Sequence, residues 1–298
     1  MKIPDGDLHA ALPAAALIAG CGDVGLRVAA HLRALGREVT AIVRDRQKVA
    51  ALNEAGVIAR IEDLDQPQDA GDWPLLFWFA PPSVSSLADV RLRGWLAAQR
   101  GSIERIVYIS TSAVYGDCGG DWIDEDAPLN PKSDRGRRRL DAERALQAWQ
   151  AEDAVTRATI ILRVPGIYGP GRMPVERLRK GLPVVSGDES SYTNRIHADD
   201  LAAAALHAAA FGHAGRAYNI ADGDPTTMAD YFLRCAALLD LPPPPQIAMS
   251  QAHAALTPAM MSFIEESKRL LTRRLREELR FTPQYPNLAA GLPSCLSS

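Results

Sequence analysis

The sequence predicts an α/β protein built on a doubly wound parallel sheet with helices on both faces. In the first half of the 298-residue chain, short apolar runs alternate with amphipathic segments, as in parallel strands joined by crossover helices. A glycine turn follows the first apolar run, where such a sheet passes from strand to helix. Hydrophobic residues make up 47% of the chain, enough for one large domain or two smaller ones.

The predicted elements follow from where apolar periodicity starts and stops. Strands are expected at 15–19, 39–43, 75–80, 106–110, 158–164 and 217–220. Helices are expected at 24–35, 47–55, 89–99, 140–150, 199–211 and 262–278. Residues 1–13 are expected to form a loose leader, and the prolines at 242–245 a rigid spacer.

Charge and cysteine content exclude several classes of protein. A net charge of −3 does not indicate binding to nucleic acid or to an anionic membrane. The four cysteines are too far apart in sequence for a metal site or a disulfide scaffold. We therefore expect a cytoplasmic protein whose partner is a small-molecule substrate, with no metal.

The N-terminal region has one alternative interpretation, a lipoprotein signal that ends at Cys21. The preceding segment carries one lysine against Asp5 and Asp7, so it lacks the positively charged start of a signal peptide. Cleavage would also destroy the glycine motif that continues after Cys21. No apolar stretch is long enough for a transmembrane helix.

The glycine turn has the pattern G-x-G-x-x-G between a predicted strand and a predicted helix. The first glycine permits a tight turn, the second lets the backbone approach a pyrophosphate, and the third allows close packing of helix and strand. Phosphates would then lie at the positive end of the helix. The alternative is an ordinary glycine-rich turn. The predicted dinucleotide-binding turn consists of Gly20, Cys21, Gly22, Asp23, Val24 and Gly25.

The end of the second strand favours NADP over NAD. Many NAD-binding proteins have an acidic residue there, whereas here Arg44 follows the strand, and a guanidinium pairs well with a 2′-phosphate. In the alternative, Arg44 is a solvated charge and Asp45 reaches the ribose. Asp63 and Leu64 are expected to line the adenine. The predicted cofactor site also includes Ala80, Pro81, Thr111, Arg139, Val164 and Pro165.

Three later segments, at 110–116, 163–171 and 194–202, carry a family resemblance. Their residues, order and spacing resemble the signatures of the extended short-chain dehydrogenase/reductases, the NAD(P)-dependent epimerase/dehydratase family. The resemblance implies an NAD(P)-binding Rossmann domain at 14–165 plus about 198–221, its sheet completed by the strand at 217–220. It implies a smaller substrate domain at 166–197 plus 222–298, and it is compatible with a homodimer.

The resemblance also implies a catalytic Ser/Thr, Tyr and Lys, and the chain departs from that pattern. Thr111 matches the Ser/Thr, but Arg135 and Arg139 stand at the tyrosine and lysine positions. Arg139 keeps the positive charge and is able to donate to ribose hydroxyls. Arg135 cannot exchange a proton near neutral pH. We therefore predict Thr111, Tyr115 and Arg139 as catalytic residues, with Tyr115 a replacement proton donor.

Tyr168, His197 and Asp199 are further candidates for proton transfer. For each of them, and for Tyr115, the alternative is a structural role, with Asp199 or Asp200 near a helix N-cap. The basic segment 135–139 is either a solvated helix start or a site for an anion. The segments 266–269 and 273–275 resemble the closing segment of an atypical branch of the family, and the resemblance implies that their basic residues face a substrate phosphate.

The absence of the family's catalytic tyrosine and the one-residue gap between Gly20 and Gly22 both indicate a branch of the family whose members are called atypical. The leading hypothesis is an NAD(P)-dependent epimerase/dehydratase-like oxidoreductase that acts on a nucleotide-sugar-like or other polar carbonyl or hydroxyl substrate. The alternative is a catalytically silent NADP-binding sensor or regulatory protein.

Overall fold

The computed structural model describes residues 5–296, with only the backbone of Asp5, Gly6 and Ala259. Its strands are β1 (Ala15–Ala19), β2 (Glu38–Val43), β3 (Ile58–Ile61), β4 (Leu76–Trp78), β5 (Arg105–Thr111), β6 (Trp122–Ile123), β7 (Ala158–Val164), β8 (Gly166–Tyr168), β9 (Val184–Val185), β10 (Tyr192–Thr193), β11 (Arg195–His197), β12 (Arg216–Asn219), β13 (Thr226–Thr227), β14 (Gln246–Ile247) and β15 (Arg269–Leu270). Its helices are α1 (Asp5–Ala11), α2 (Asp23–Ala34), α3 (Lys48–Glu54), α4 (Val90–Ala98), α5 (Asp134–Glu152), α6 (Val175–Arg179), α7 (Ala198–Phe211), α8 (Met228–Leu238), α9 (Met249–Ala255), α10 (Pro258–Ile264), α11 (Arg273–Glu277) and α12 (Leu288–Gly291).

A seven-stranded parallel sheet forms the centre of the molecule, in the order β12-β7-β5-β4-β1-β2-β3. One face packs against α2 and α7, with Val28 and Leu201 fully buried. The other packs against α4 and α5, with Trp95 and Leu146 fully buried. The predicted doubly wound α/β fold is therefore confirmed, including the late strand β12 at the sheet edge beside β7.

A separate apolar core lies in the C-terminal part of the chain. It gathers residues of β8, β9, α8 and the last turns, among them Tyr168, Phe232 and Leu292. All of its buried members fall within the predicted substrate domain. Leu275, Leu279 and Phe281 of that predicted domain instead pack with the core beneath the large sheet. The domain boundaries remain a prediction.

Two sequence predictions about helices were wrong. Within the expected loose leader, Asp5–Ala11 form α1, and Leu12 is buried against the sheet core; residues 1–4 lie outside the described part of the chain. The single helix expected at 262–278 is broken, because α10 ends at Ile264 and β15 pairs with β6 before α11 begins. The charged residues between these elements include Glu266 and Lys268, which are buried rather than solvated.

Helix α5 begins at Asp134, six residues before the predicted start. Its first turns are rich in arginine and carry no apolar periodicity, but arginine is a good helix former. Ser133 caps the helix by accepting a hydrogen bond from the Gly136 N–H. Within residues 5–296, no helix is both long and apolar enough to cross a membrane.

Candidate functional site

The three glycines of the turn each have a geometric reason to be glycine. Gly20 has a φ of +90°, and a Cβ there would lie 2.3 Å from the Ala80 nitrogen. A Cβ on Gly22 would meet no atom within 4 Å, so that side of the turn is open. A Cβ on Gly25 would lie 3.1 Å from the Gly20 carbonyl oxygen. These are the tight turn, the open approach and the close packing that a dinucleotide turn requires.

Helix α2 begins directly after the turn with Gly22 as its N-cap. Glycine has no side chain with which to accept a hydrogen bond, so the first N–H groups of the helix are available to an external acceptor. The helix dipole adds positive potential at the same place. This end of α2 is suited to bind a phosphate group.

A cleft of about 380 Å³ opens at this turn, and we call it the glycine-turn cleft. Eight of the predicted cofactor-binding residues line it: Gly20, Cys21, Gly22, Arg44, Asp63, Leu64, Ala80 and Pro81. Asp23, Val24 and Gly25 form the first turn of α2 beside it. The Cys21 thiol is inert here, because burial raises its pKa to about 11. Sequence reasoning missed the contribution of Lys48, Glu62 and Arg91 to the lining.

The cations of the glycine-turn cleft differ in their partners. Arg91 is held by the Asp65 carboxylate at 2.6 and 2.7 Å. Arg44 and Lys48 have no salt bridge within 4 Å among the described residues, and Arg44 is exposed. The Asp45 carboxylate accepts the Gln47 N–H at 2.9 Å, which turns one of its oxygens back to its own loop. Arg44 and Lys48 are therefore the cations open to a ligand.

A second, smaller cavity of about 90 Å³ lies at the ends of β5 and β7, and we call it the Thr111 cavity. Its lining includes the predicted residues Thr111 and Pro165, and Val164 is buried behind it as the register partner of Thr111. Charged and aromatic residues from later segments complete it: Arg135, Tyr192, Arg195, Phe263, Glu266 and Lys268.

Both cavities open at the carboxyl edge of the sheet. Gly20, Ala80, Thr111 and Pro165 each lie at or just after the end of a strand, and those strands, β1, β4, β5 and β7, are consecutive neighbours. Adjacent strands are about 4.8 Å apart. The glycine-turn cleft and the Thr111 cavity therefore lie along one edge, where open parallel sheets bind their ligands.

Thr111 ends β5 with its hydroxyl partly exposed to its cavity. Its Oγ1 accepts a hydrogen bond from the Ala113 N–H at 3.3 Å. That bond uses a lone pair, so the hydroxyl hydrogen is still available for donation. Thr111 is thus equipped to donate to a carbonyl or alkoxide oxygen.

The remaining polar groups of the Thr111 cavity include two that exchange protons in other proteins. Lys268 and Glu266 are buried and paired, with 3.2 Å between Nζ and Oε2. Ser133 donates to the other Glu266 oxygen at 3.2 Å. Tyr192, which lines the same cavity, was not found by sequence reasoning, because it lies outside the signature segments.

Arg139 does not line either cavity. Its Nη1 donates to the Tyr108 hydroxyl at 3.0 Å and to the Ile109 carbonyl at 2.6 Å. Burial raises the pKa of Tyr108 to about 12, so this phenol is held as a neutral group. The guanidinium thus ties α5 to β5, and its predicted role toward the cofactor remains a prediction.

Tyr115 is buried away from both cavities. Its hydroxyl donates to Asn219 Oδ1 at 2.7 Å and accepts from Arg163 Nη1 at 3.0 Å. Burial raises its pKa above the usual value. With both hydrogen-bond functions satisfied and 1% of its surface exposed, Tyr115 fits the structural alternative rather than proton transfer.

Tyr168, His197 and Asp199 also have structural partners. Tyr168 and His197 are fully buried and pack edge to face. His197 is the N-cap of α7, its Nδ1 accepts the Asp199 N–H, and Asp199 and Asp200 lie in the first turn beside this cap, as expected. Asp199 forms an ion pair with Arg27. None of the three lines the glycine-turn cleft or the Thr111 cavity.

Comparison with known proteins agrees with this architecture. The model of the NAD-dependent epimerase/dehydratase family matches residues 88–221. The model of ketopantoate reductase PanE/ApbA matches residues 16–70, the segment that contains the glycine turn. The first match includes all three signature segments, at 110–116, 163–171 and 194–202.

Individual proteins match over nearly the whole chain. Protein YeeZ of Escherichia coli is 28% identical over 290 residues, which are 91% of this chain and 96% of YeeZ. A functionally unknown conserved protein of Silicibacter pomeroyi has a solved structure with 30% identity and a TM-score of 0.80, covering 96% of this chain and 99% of its own.

A further solved structure is that of MoeE5 in complex with UDP-glucose and NAD, which is 24% identical with a TM-score of 0.76. It covers 95% of this chain and 97% of MoeE5, and it shares the fold. With the parallel sheet, the glycine turn and the three signatures in register, the chain belongs to the NAD-dependent epimerase/dehydratase family, the extended short-chain dehydrogenase/reductases.

Proposed function

We propose that this protein binds a nicotinamide dinucleotide, NADP in preference to NAD, and exchanges hydride with a polar carbonyl or hydroxyl substrate at Thr111. One observation supports the proposal most: the glycine-turn cleft and the Thr111 cavity lie along the same edge of four neighbouring strands. A dinucleotide bound in the glycine-turn cleft would therefore lie beside a hydroxyl donor. MoeE5, which has the same fold, was solved with NAD.

The residues of the glycine-turn cleft fit a dinucleotide. The open side of Gly22 and the N–H groups that begin α2 suit the pyrophosphate. Arg44, which has no ion pair among the described residues, suits a 2′-phosphate, while Asp45 is already engaged by the Gln47 N–H. This difference supports NADP.

A bound nicotinamide would supply or accept the hydride. In the Thr111 cavity, the chain's own contribution is to orient the substrate oxygen through the Thr111 hydroxyl. Lys268, Glu266 and Tyr192 are the lining groups able to hold a proton there. Arg135, at the family's tyrosine position, contributes charge but no proton transfer.

The cofactor preference is tested by Arg44→Ser. A charge-assisted hydrogen bond contributes about 1.5–3 kcal/mol, so we expect NADPH to bind more weakly by about tenfold or more, with the affinity for NADH unchanged. Calorimetric titration of both nucleotides measures this. Arg46→Ser is the matched control, because Arg46 is exposed and does not line the cleft. Unchanged NADPH affinity in Arg44→Ser would refute the NADP preference.

The hydride step is tested by Thr111→Val, which removes the hydroxyl at constant shape. Loss of a donor to developing oxygen charge typically costs about 100-fold or more in rate, so we expect kcat/KM to fall by that factor while NADPH affinity stays unchanged. The readout is NADPH absorbance with a panel of polar carbonyl compounds and nucleotide sugars. Thr111→Ser, which keeps the hydroxyl, should retain most activity. Equal activity in Thr111→Val and wild type would remove Thr111 from the reaction.

A second candidate function is a dinucleotide-binding sensor without turnover, and Arg135 favours it. The tyrosine position carries no proton donor, and the hydroxyls of Tyr115 and Tyr168 lie outside both cavities. NADPH binding without hydride exchange across the same panel would select this candidate. Turnover gained by the double variant Arg135→Tyr with Arg139→Lys would support it further.

A further inference from the structure

The Thr111 cavity has an excess of positive charge. Arg135, Arg195 and Lys268 line it, and Glu266 is the carboxylate among its lining residues. Glu266 is already bound by Lys268 and by Ser133. The two arginines therefore face the cavity without a carboxylate of their own.

Arg195 is the more deeply buried of the two arginines, with 8% of its surface exposed. Its guanidinium stacks on Tyr231 at 4.0 Å and donates through Nη2 to the Met228 sulfur, a weak acceptor. Its Nε has no hydrogen-bond partner, and no carboxylate lies within 4 Å of it among the described residues. A buried guanidinium without an anion is costly.

The carboxyl group of Asp222 acts on Arg195 electrostatically but does not neutralise it. Burial raises the pKa of Asp222 to about 7, so this group is only partly ionised at neutral pH. One of its oxygens accepts the Asp224 N–H and the other has no partner. Among the described residues, Asp222 and Arg195 form no ion pair within 4 Å.

Arg135, which also lines the Thr111 cavity, shows the same lack of a partner. Its guanidinium lies 4.0 Å from the centre of the Phe263 ring, and its buried Nε has no hydrogen-bond partner. No ion pair to Arg135 within 4 Å is present in residues 5–296. Stacking fixes the planar group while leaving its edge free, the geometry in which arginine recognises oxoanions.

Sequence patterns support a common purpose for these two residues. Arg135 stands where the family has its tyrosine, and Arg195 stands where the third signature has Phe or Ile. Two separate positions that the family fills with uncharged residues thus hold arginine in this chain. Both side chains line the cavity that contains Thr111.

We propose that Arg135, Arg195 and Lys268 form a binding subsite for an oxoanion group of the substrate, a carboxylate or a phosphate, next to the oxygen that Thr111 holds. This inference deepens the proposed function and rests on it for the identity of the reacting site. It makes the substrate an anionic carbonyl or hydroxy compound whose charged group lies close to the reacting carbon.

The subsite is tested in the cofactor-free protein, with inorganic phosphate and oxalate as probes. A ligand that binds only the folded state raises the thermal midpoint and gives a calorimetric Kd. At matched ionic strength against sodium chloride, we expect at least one probe to stabilise the wild type. The affinity should fall about tenfold or more in Arg135→Gln and in Arg195→Gln, since each loses a charge-assisted hydrogen bond.

Matched variants locate the probe and guard against misfolding. Arg137→Gln, on the exposed side of α5, should keep wild-type affinity. Gly166→Ala retains every charge but places a Cβ 2.2 Å from Arg195 Nη1, so it should displace that group and weaken binding. Arg44→Ser tests the other phosphate location, because it removes a cation of the glycine-turn cleft and none of the Thr111 cavity.

Each result has a defined meaning. The probe that stabilises the wild type more, phosphate or oxalate, identifies the preferred anion. Loss of that stabilisation in Arg135→Gln and Gly166→Ala supports the subsite, even if Arg195→Gln does not fold. The subsite is overturned if the probe still stabilises both Arg135→Gln and Gly166→Ala, or if stabilisation is lost only in Arg44→Ser. It is also overturned if neither phosphate nor oxalate stabilises the wild type. Absence of hydride exchange would refute the proposed reaction but not the anion result, which needs no cofactor.

Discussion

Replacing Arg163 by Met should destabilise the protein by roughly 3–5 kcal/mol, the usual cost of breaking a buried ion pair. Arg163 on β7 is 4% exposed and lies 2.9 Å from Glu143 on α5. It also donates to the Tyr115 hydroxyl and to the Glu125 carbonyl. Without it, the Glu143 carboxylate would remain buried with Ser110 as its donor.

Arg234→Met is the matched control for this experiment. Arg234 pairs with Asp230 at 2.8 Å, a similar distance, but on the exposed side of α8, where such a pair contributes about 0.5 kcal/mol. Urea unfolding of both variants measures the difference. The double variant Glu143→Leu with Arg163→Met should recover much of the loss, because neither charge of this pair remains buried. Equal stability of Arg163→Met and Arg234→Met would contradict the assignment.

Replacing Gly20 by Ala should abolish tight dinucleotide binding and destabilise the sheet. The added Cβ would lie 2.3 Å from the Ala80 nitrogen and 2.6 Å from its Cα. These are backbone atoms, so no rotamer change relieves the overlap and β1 and β4 must move apart. We expect an NADPH affinity lower by about 100-fold or more, the loss of two charge-assisted backbone hydrogen bonds, and a stability loss of roughly 2–4 kcal/mol.

Gly36→Ala separates this steric effect from the cost of backbone conformation. Gly36 also has a positive φ, of 70°, but a Cβ there would meet nothing within 4 Å. It should lose about 1 kcal/mol of stability and keep its NADPH affinity. Calorimetric titration and thermal unfolding give both quantities. NADPH binding in Gly20→Ala at the level of Gly36→Ala would refute the role of the turn.

Local patterns were sufficient to predict most of the sheet. Strands β1 and β7 begin and end where apolar runs predicted them, and β12 was expected from its family position. The same kind of reasoning failed at 262–278, where it predicted one charged amphipathic helix. Periodicity assigns charged residues to the surface by default, whereas Glu266 and Lys268 neutralise each other in the interior.

The candidate site likewise has one part that the sequence predicted and one part that only the structure shows. The residues of the glycine-turn cleft come from short segments with a local signature, so their types and spacing could be read along the chain. The Thr111 cavity draws on residues far apart in sequence, including Tyr192, Phe263 and Lys268. Tyr115 and Thr111 are four residues apart, yet the Tyr115 hydroxyl is buried against Asn219 and Arg163 while Thr111 lines the cavity.

The sequence by itself determined the parallel α/β fold, the family and the glycine turn, because each depends on local periodicity, on short signature segments or on backbone freedom at a few glycines. Tertiary structure decided which charged groups share a cavity and which are paired. Arg163 and Arg195 are both buried arginines, and their sequence neighbours do not distinguish them. Only the folded chain brings Glu143 to the first and leaves the second without a carboxylate, because electrostatic partners are set by distance in space.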